Sequence, residues 1–322
     1  MSVLKTISLP IKNEMSSFEK KFKSFLKNDV RLLDRILYYI IKRKGKQMRP
    51  MFVFLSAKLF GQINEKTYRA ASMIELLHTA TLVHDDVIDN SNLRRGFFSI
   101  NAIWKNKIAV LVGDFLLSKG LLLSVQHKDF DLLEIMSRAV KQMSEGELLQ
   151  IESSRRFNIS EETYFDIIRK KTGALIGACC ASGVNSVSQN NLSRQKMTEF
   201  GEKVGVCFQI KDDLFDYESN YSIGKPIGLD IQDKKITLPI IYTLNNSPLL
   251  IKKKIINAIK NPNQSKIPEV ITIVKKYGGV KYAKEKMNLY HTDAVNMLND
   301  FNDSAIKRSL LLLLDYVIER KK

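Results

Sequence analysis

Apolar residues recur at helical spacing through nearly the whole chain. Leu32, Leu33, Ile36, Leu37 and Ile40 form one stripe. Ala71, Ile74, Leu77, His78 and Thr81 form another, which runs into acidic residues at 85–89. The same period predicts further helices over roughly 99–125, 129–153, 161–186, 192–217, 236–260, 268–277, 279–299 and 304–319. Breaks fall at Gly45–Pro50, Asn90–Gly96, Ser188–Asn191, Tyr221–Gly228 and Asn261–Pro268, where Gly, Pro, Asn and Ser collect. No solenoid repeat and no low-complexity linker divides the chain. The expectation is a single all-α domain over 1–322, with about ten or more helices packed as a large bundle. The most apolar stretch, Ile108 to Val125, carries Asp114 and Lys119 and does not read as a membrane span.

Composition narrows this further. An apolar content of 44% excludes general disorder. With 15 Gly and 7 Pro in 322 residues, the chain lacks the punctuation of an all-β or collagen-like protein. Three cysteines, Cys179, Cys180 and Cys207, are too few for a disulfide scaffold and read as reduced thiols. The opening segment has no apolar run of signal-peptide length and breaks at Pro10, so a cytoplasmic location is expected. A net charge of +17 fits nucleic acid, a membrane surface or anionic substrates. The lysines are scattered and no aromatic-interleaved basic stripe stands out, so nucleic acid is not expected as a partner.

The chemistry lies in two acidic motifs. Asp85-Asp86-Val87-Ile88-Asp89 and Asp212-Asp213-Leu214-Phe215-Asp216 both read DDxxD, and each ends a long apolar helix. Asp85 and Asp89 share a helix face, as do Asp212 and Asp216. Like charges one turn apart repel, and the C-terminal end of a helix disfavours anions. Two matched violations of local preference call for a cation. Hard oxygen donors suit Mg²⁺, which shares its coordination with water and substrate phosphates. Such a cluster stabilises charge on a departing diphosphate without any protein nucleophile. There is no Ser-His-Asp or Cys-His arrangement and no Gly-rich phosphate loop.

Further segments accompany these motifs in order: Gly45-Lys46-Gln47-Met48-Arg49-Pro50, Glu75-Leu76-Leu77-His78-Thr79-Ala80, Leu93-Arg94-Arg95-Gly96, Gly113-Asp114-Phe115-Leu116 and Glu145-Gly146-Glu147. Then come Lys171-Thr172-Gly173, Phe208-Gln209-Ile210-Lys211, Gly224-Lys225-Pro226 and Lys235-Ile236-Thr237-Leu238-Pro239. Over positions 45 to 239 the chain resembles the trans-polyprenyl (isoprenyl) diphosphate synthases of long-chain type. The resemblance implies an isoprenoid synthase-like all-α bundle around a deep central cavity, and a homodimer. It implies head-to-tail condensation of isopentenyl diphosphate onto an allylic diphosphate, with about three Mg²⁺ ions per site. Asp85, Asp89 and Asp212 then become the expected metal ligands, with Asp86, Asp213 and Asp216 as ligands or supporting acceptors. Lys46, Arg49, His78 and Arg95 match the isopentenyl diphosphate site. Arg94, Lys171, Lys225 and Lys235 match groups that hold the allylic diphosphate. Thr172 and Gln209, with Lys171, lie beside the reacting carbons. One departure is visible: the family often has Gly before the last of these lysines, and this chain has Lys234.

In this family a bulky aromatic five residues before the first Asp shortens the product. Here that position is Ala80, followed by Thr81, with Leu77 beneath. The eleven residues from Ile74 to Asp85 span about 16 Å. The expected product is an all-trans polyprenyl diphosphate of C30 or longer for a quinone side chain, poorly soluble enough to imply transient contact with a membrane surface. The alternatives are a short-chain (C15–C20) synthase and a class I terpene cyclase.

Overall fold

The computed structural model describes residues 3–43, 45–94, 96–156, 159–218, 228–262 and 265–320, the side chain of Arg156 excepted. Among the described residues it is all-α apart from one two-stranded hairpin. The chain separates into two compact units. One comprises Met1–Arg138, Ala178–Thr198 and Asp303–Leu310. The other comprises Ala139–Gly177, Glu199–Asn302 and Leu311–Lys322.

In the first unit, α1 (Val3–Ser8), a 3-10 turn (Leu9–Ile11), α2 (Lys12–Phe25), α3 (Arg31–Lys42) and α4 (Met48–Phe60) precede the long α5 (Glu65–Ile88). A hairpin of β1 (Leu93–Arg94) and β2 (Phe97–Phe98) leads into α6 (Ile100–Gln126). Helix α5 starts at a reciprocal cap: Thr67 N donates to Asn64 Oδ1 at 3.1 Å, and Asn64 N to Thr67 Oγ1 at 3.3 Å. It ends where Asn90 takes a left-handed φ of 49°. That stop leaves the first acidic motif in its last turn.

Helices α5 and α6 pack along each other, with Leu76, Ala80 and Val83 of α5 joining Val112 and Leu116 of α6 and Ile36 and Leu37 of α3 in one apolar cluster. Gly113 permits the approach: a Cβ there would lie 2.1 Å from His84 Nε2. His84 is thereby a packing residue, with Nε2 at 3.2 Å from Val110 O. Helix α6 kinks at Lys105, whose φ of 73° and ψ of 160° are non-helical. Its most apolar window has a mean hydropathy of 1.9 and is 33% buried, so length and composition alone would let it cross a membrane. Leu111, Leu121, Leu122 and Val125 lie exposed on it.

Helix α7 (Phe130–Arg156) begins in the first unit and ends in the second. Then follow α8 (Glu161–Ile168), a π-helical turn (Arg169–Gly173), α9 (Ala174–Val187) and α10 (Asn191–Phe215). The last elements are α11 (Leu229–Gln232), α12 (Leu238–Asn246), α13 (Leu249–Lys260), α14 (Ile267–Lys276), α15 (Gly279–Met297) and α16 (Ala305–Glu319). In the second unit Gly205 of α10 lies against the π turn so closely that a Cβ would meet Gly173 Cα at 2.5 Å. Tyr242 of α12 and Tyr282 of α15 stack with centroids 4.2 Å apart.

The helices expected from periodicity are present, with two corrections. The span 161–186 is interrupted by the π turn, and 236–260 is divided at Ser247-Pro248. Helices α1, α2, α4 and α11 and the hairpin were not expected. All three cysteines are free and buried, and burial pushes Cys180 and Cys207 up to about 12, so both stay protonated near neutral pH.

Candidate active site

In the first unit, the end of α5 and the hairpin are built around Asp86. Its side chain is buried and accepts from Arg94 Nε at 2.7 Å. Its carbonyl accepts from Asn101 Nδ2 at 3.1 Å and Ser91 N at 2.9 Å. Burial raises the Asp86 carboxyl above its ordinary value, and the Arg94 bond offsets part of that. Asp86 thus faces inward and fixes the hairpin, whereas Asp85 is half-buried and Asp89 is exposed. Arg94, expected on the allylic diphosphate, is already tied to the motif.

Lys46 is exposed just ahead of α4 and Arg49 is half-buried in its first turn. Between them Gln47 holds a left-handed φ of 54°. His78 is buried on α5, and its carbonyl accepts from Thr81 Oγ1 at 3.0 Å. Ala80 is completely buried in the α3–α5–α6 cluster, with Leu77 also buried and Thr81 half-buried. Arg95 and Lys225 lie outside the described residues.

In the second unit the π turn carries Lys171 and Thr172. Such turns displace side chains from the regular helical track and occur often at functional sites. Thr172 Oγ1 donates to Gln209 Oε1 at 2.8 Å, and Gln209 Nε2 donates to Asp213 Oδ1 at 2.9 Å. The other Asp213 oxygen accepts from the buried Tyr164 hydroxyl at 2.6 Å. The bonds therefore converge on Asp213, from Thr172 through Gln209 on one side and from Tyr164 on the other. Thr172 commits its only hydroxyl proton to Gln209 and presents lone pairs elsewhere. Lys171 Nζ reaches Gln150 Oε1 at 3.0 Å and Glu147 Oε2 at 2.5 Å. Gly146 lets α7 approach: a Cβ there would meet Lys171 N at 2.9 Å.

Gln150, Lys171, Gln209, Asp213, Asp230 and Lys235 line a cleft of about 90 Å³. Burial, reinforced by Asp230, pushes Asp213 up to about 8. Burial, reinforced by Asp216, pushes Asp230 up to about 6. Asp216 accepts the Asp230 backbone N–H at 2.6 Å and is itself raised by burial. Lys235 Nζ lies 3.5 Å from Asp233 Oδ2, and its backbone N–H donates to Asp230 O at 2.8 Å. Asp212 Oδ1 accepts from Arg320 Nη2 at 2.6 Å. That guanidinium also lies 3.6 Å from the Phe208 ring centroid.

The structure brings Lys171, Thr172, Gln209, Asp213 and Lys235 into one neighbourhood of the second unit. It adds Tyr164, Gln150, Asp230 and Arg320, which sequence reasoning missed. Tyr164 reads as an ordinary apolar helix position. Arg320 stands 108 residues from its carboxylate, beyond any local pattern. Asp230 had a readable signal, an acid following Gly228 and shortly before the Lys234-Lys235 pair.

A model of the family described as Polyprenyl synthetase matches residues 30–276. The chain is 32% identical to the all-trans-nonaprenyl-diphosphate synthase (geranyl-diphosphate specific) of Rhodobacter capsulatus, covering 98% of this chain and 97% of that one. It is also 32% identical to the geranylgeranyl diphosphate synthase of Sulfolobus acidocaldarius, over 96% of this chain and 97% of the relative. Among solved structures, the polyprenyl synthase from Caulobacter crescentus, complexed with calcium and isoprenyl diphosphate, superposes with a TM-score of 0.91 at 28% identity, covering 99% of this chain and 98% of that one. Helices ending in paired carboxylates, a π turn carrying Lys and Thr, and these likenesses agree: the chain belongs to the polyprenyl synthetase family and is a prenyltransferase of the prenyl diphosphate synthase kind.

Proposed function

We propose that the protein condenses isopentenyl diphosphate head-to-tail onto an allylic diphosphate, with Mg²⁺, to make an all-trans product of C30 or longer for a quinone side chain. The observation that carries the chemistry is the hydrogen-bonded set of Thr172, Gln209 and Tyr164 converging on Asp213 beside Lys171. It offers fixed neutral oxygens next to a cation that can bind phosphate.

The donor set fits Mg²⁺. Asp85, Asp89 and Asp212 are hard oxygen donors, and the Asp212 carboxylate already draws the cationic Arg320. Among the described residues no three His, Cys, Asp or Glu side chains form a ready-made cage. When bound, the metal would neutralise charge growing on the departing diphosphate.

The chain's own groups do the rest. Lys171, Lys225, Lys235 and Arg94 hold the allylic diphosphate by charge. Thr172 Oγ1 and Gln209 Oε1 stabilise the allylic cation without capturing it, because neither oxygen is a free anion. Lys46, Arg49, His78 and Arg95 orient isopentenyl diphosphate so that its double bond meets that cation. The allylic C–O bond breaks first, the double bond of isopentenyl diphosphate then supplies the electron pair of the new C–C bond, and the C2 proton passes to the diphosphate that has left.

Small residues at Ala80 and Thr81 support a long product. The exposed leucines of α6 support a homodimer, since apolar helix faces of this kind are covered in oligomers. Chromatography of products made from labelled isopentenyl diphosphate tests the reading. Products of C30 and above support it, and products stopping at C15 or C20 reject the long-chain assignment.

A further inference from the structure

Helix α3 has two opposed faces. At about 100° per residue, Leu33, Ile36, Leu37 and Ile40 fall on one side, and all four belong to or pack on the apolar cluster. Arg31, Arg35, Tyr38 and Lys42 fall within roughly 40° of one line on the other side, and all four are exposed. The basic row is interrupted only by a tyrosine, and Asp34 sits toward its edge.

The β1–β2 hairpin is fastened to the end of this helix. Tyr39 Oη donates to Phe98 O at 2.6 Å. The Arg43 guanidinium lies 3.4 Å from the Tyr39 ring centroid and 4.5 Å from that of Phe97. Trp104 meets Tyr39 edge-on, with centroids 5.2 Å apart. Around this joint the large apolar side chains point outward: Tyr38, Ile88, Leu93, Phe97 and Phe98 are between 48% and 65% exposed. Two adjacent phenylalanines at a hairpin end, anchored from below and flanked by arginine and lysine, are costly in water. Aromatic rings beside cations suit the boundary between anionic headgroups and acyl chains.

We propose that this surface docks on an anionic lipid bilayer. Phe97 and Phe98 enter the interface, while the exposed Arg31, Arg35 and Lys42 meet the headgroups. Charge complementarity selects the occupant: the row is cationic and the whole chain carries +17. The proposal rests on the long-chain reading, because a C30 product partitions into lipid. Its test uses no substrate, so its failure leaves the transferase reading standing.

The test is co-sedimentation of the full chain with vesicles of phosphatidylcholine alone and of phosphatidylcholine mixed with phosphatidylglycerol. Binding is expected only to the mixed vesicles and weakens as salt rises. Phe97→Ser with Phe98→Ser should reduce the partition coefficient about tenfold. Arg31→Ser, Arg35→Ser and Lys42→Ser should each reduce it about fivefold. Lys275→Ser with Lys276→Ser, exposed on α14, should leave it unchanged. Emission of Trp104, the only tryptophan, should shift with mixed vesicles in the wild type and not in the phenylalanine variant. Thermal denaturation checks each fold, and Phe98→Ser alone repeats the test should the double variant not fold. Undiminished binding by the phenylalanine variants overturns the proposal. So does an equal loss in the α14 control, which would mean diffuse attraction. Conversion of a dimer to a monomer by the phenylalanine variants would also overturn it, since a second copy would then cover the hairpin.

Discussion

Arg320 Nη2 sits 2.6 Å from Asp212 Oδ1, so a side chain at the end of α16 supplies the counter-ion for the first carboxylate of the second acidic motif. The arginine is the more buried partner, at 9% side-chain exposure against 40% for the aspartate. Burial pulls its guanidinium below the ordinary arginine range, and Asp212 opposes that. An arginine here competes with any divalent ion for the same oxygen. Arg320→Ala should destabilise the metal-free protein by about 1–2 kcal/mol, the exposure of Asp212 limiting the loss. It should also tighten Mg²⁺ binding several-fold. Melting with and without Mg²⁺ reads both effects, and a metal-induced rise in Tm no greater than that of the wild type would refute the competition.

Tyr164 lines the same cleft as Asp213 and donates its hydroxyl to Asp213 Oδ2 at 2.6 Å. Tyr164→Phe removes one hydroxyl and leaves a buried carboxylate oxygen without its donor, at a cost of about 1–3 kcal/mol. It also frees Asp213, and with it Gln209 and Thr172, to turn. The expected result is a kcat lowered about tenfold with little change in the KM for isopentenyl diphosphate. Steady-state kinetics test this, and an equal fall in activity through KM alone would assign Tyr164 a purely structural part.

Stability of the metal-free protein should fall as pH rises. Asp213 is held near 8 by burial, whereas an unfolded aspartate titrates near its ordinary value of 3.8. Between those values the folded state binds the extra proton, so ∂ΔG_unfold/∂pH is negative there. This contribution is complete below about pH 4 and is lost through about pH 8. Asp213→Asn, which needs no proton, should flatten the slope and be the more stable form at pH 8. Urea unfolding across pH 5–8 without metal is the measurement, and parallel profiles for the two proteins would contradict the assignment.

The helices were legible because their burial is one-sided: of the stripe Leu32, Leu33, Ile36, Leu37 and Ile40, all but the exposed Leu32 form the inward face of α3. The acidic motifs were legible because two like-charged helix ends defy local preference. The π turn was not, because the run Arg169-Lys170-Lys171-Thr172-Gly173 carries no local signal that separates a π turn from an α-helical one. Its register follows from the close packing of Gly173 and Gly205, set by tertiary contact. Arg320 and Tyr164 were hidden for the same reason, since their partners are distant in sequence. Asp86 and Arg94 both stand out in the sequence as candidate site residues, but their bond to each other is a product of the hairpin, which periodicity does not reveal.

Ala80 tests the chain-length reading. It is fully buried in the cluster where α5 meets α3 and α6. Ala80→Phe must displace neighbours and should cost about 1–3 kcal/mol. If the growing chain passes this point, the product should shorten while the first condensations continue. A lowered Tm with an unchanged product distribution would make Ala80 a packing residue only.

Lys234 occupies the position where related sequences often carry Gly, and its φ of 59° explains the preference. A left-handed backbone costs a residue with a Cβ roughly 1–2 kcal/mol, and glycine avoids that at the expense of greater freedom when unfolded. The conformation is enforced by the turn after α11, where Lys234 N donates to Ile231 O at 3.1 Å and Lys235 N to Asp230 O at 2.8 Å. That turn sets the place of Lys235 on the cleft. Lys234→Gly should therefore raise stability by about 0.5–1 kcal/mol, the difference between relieved strain and lost unfolded-state restriction. The KM for the allylic diphosphate separates two roles. If Lys235 alone holds that diphosphate, KM is unchanged in Lys234→Gly and rises in Lys235→Gln. A comparable rise in both would show that the additional cation shares the ligand.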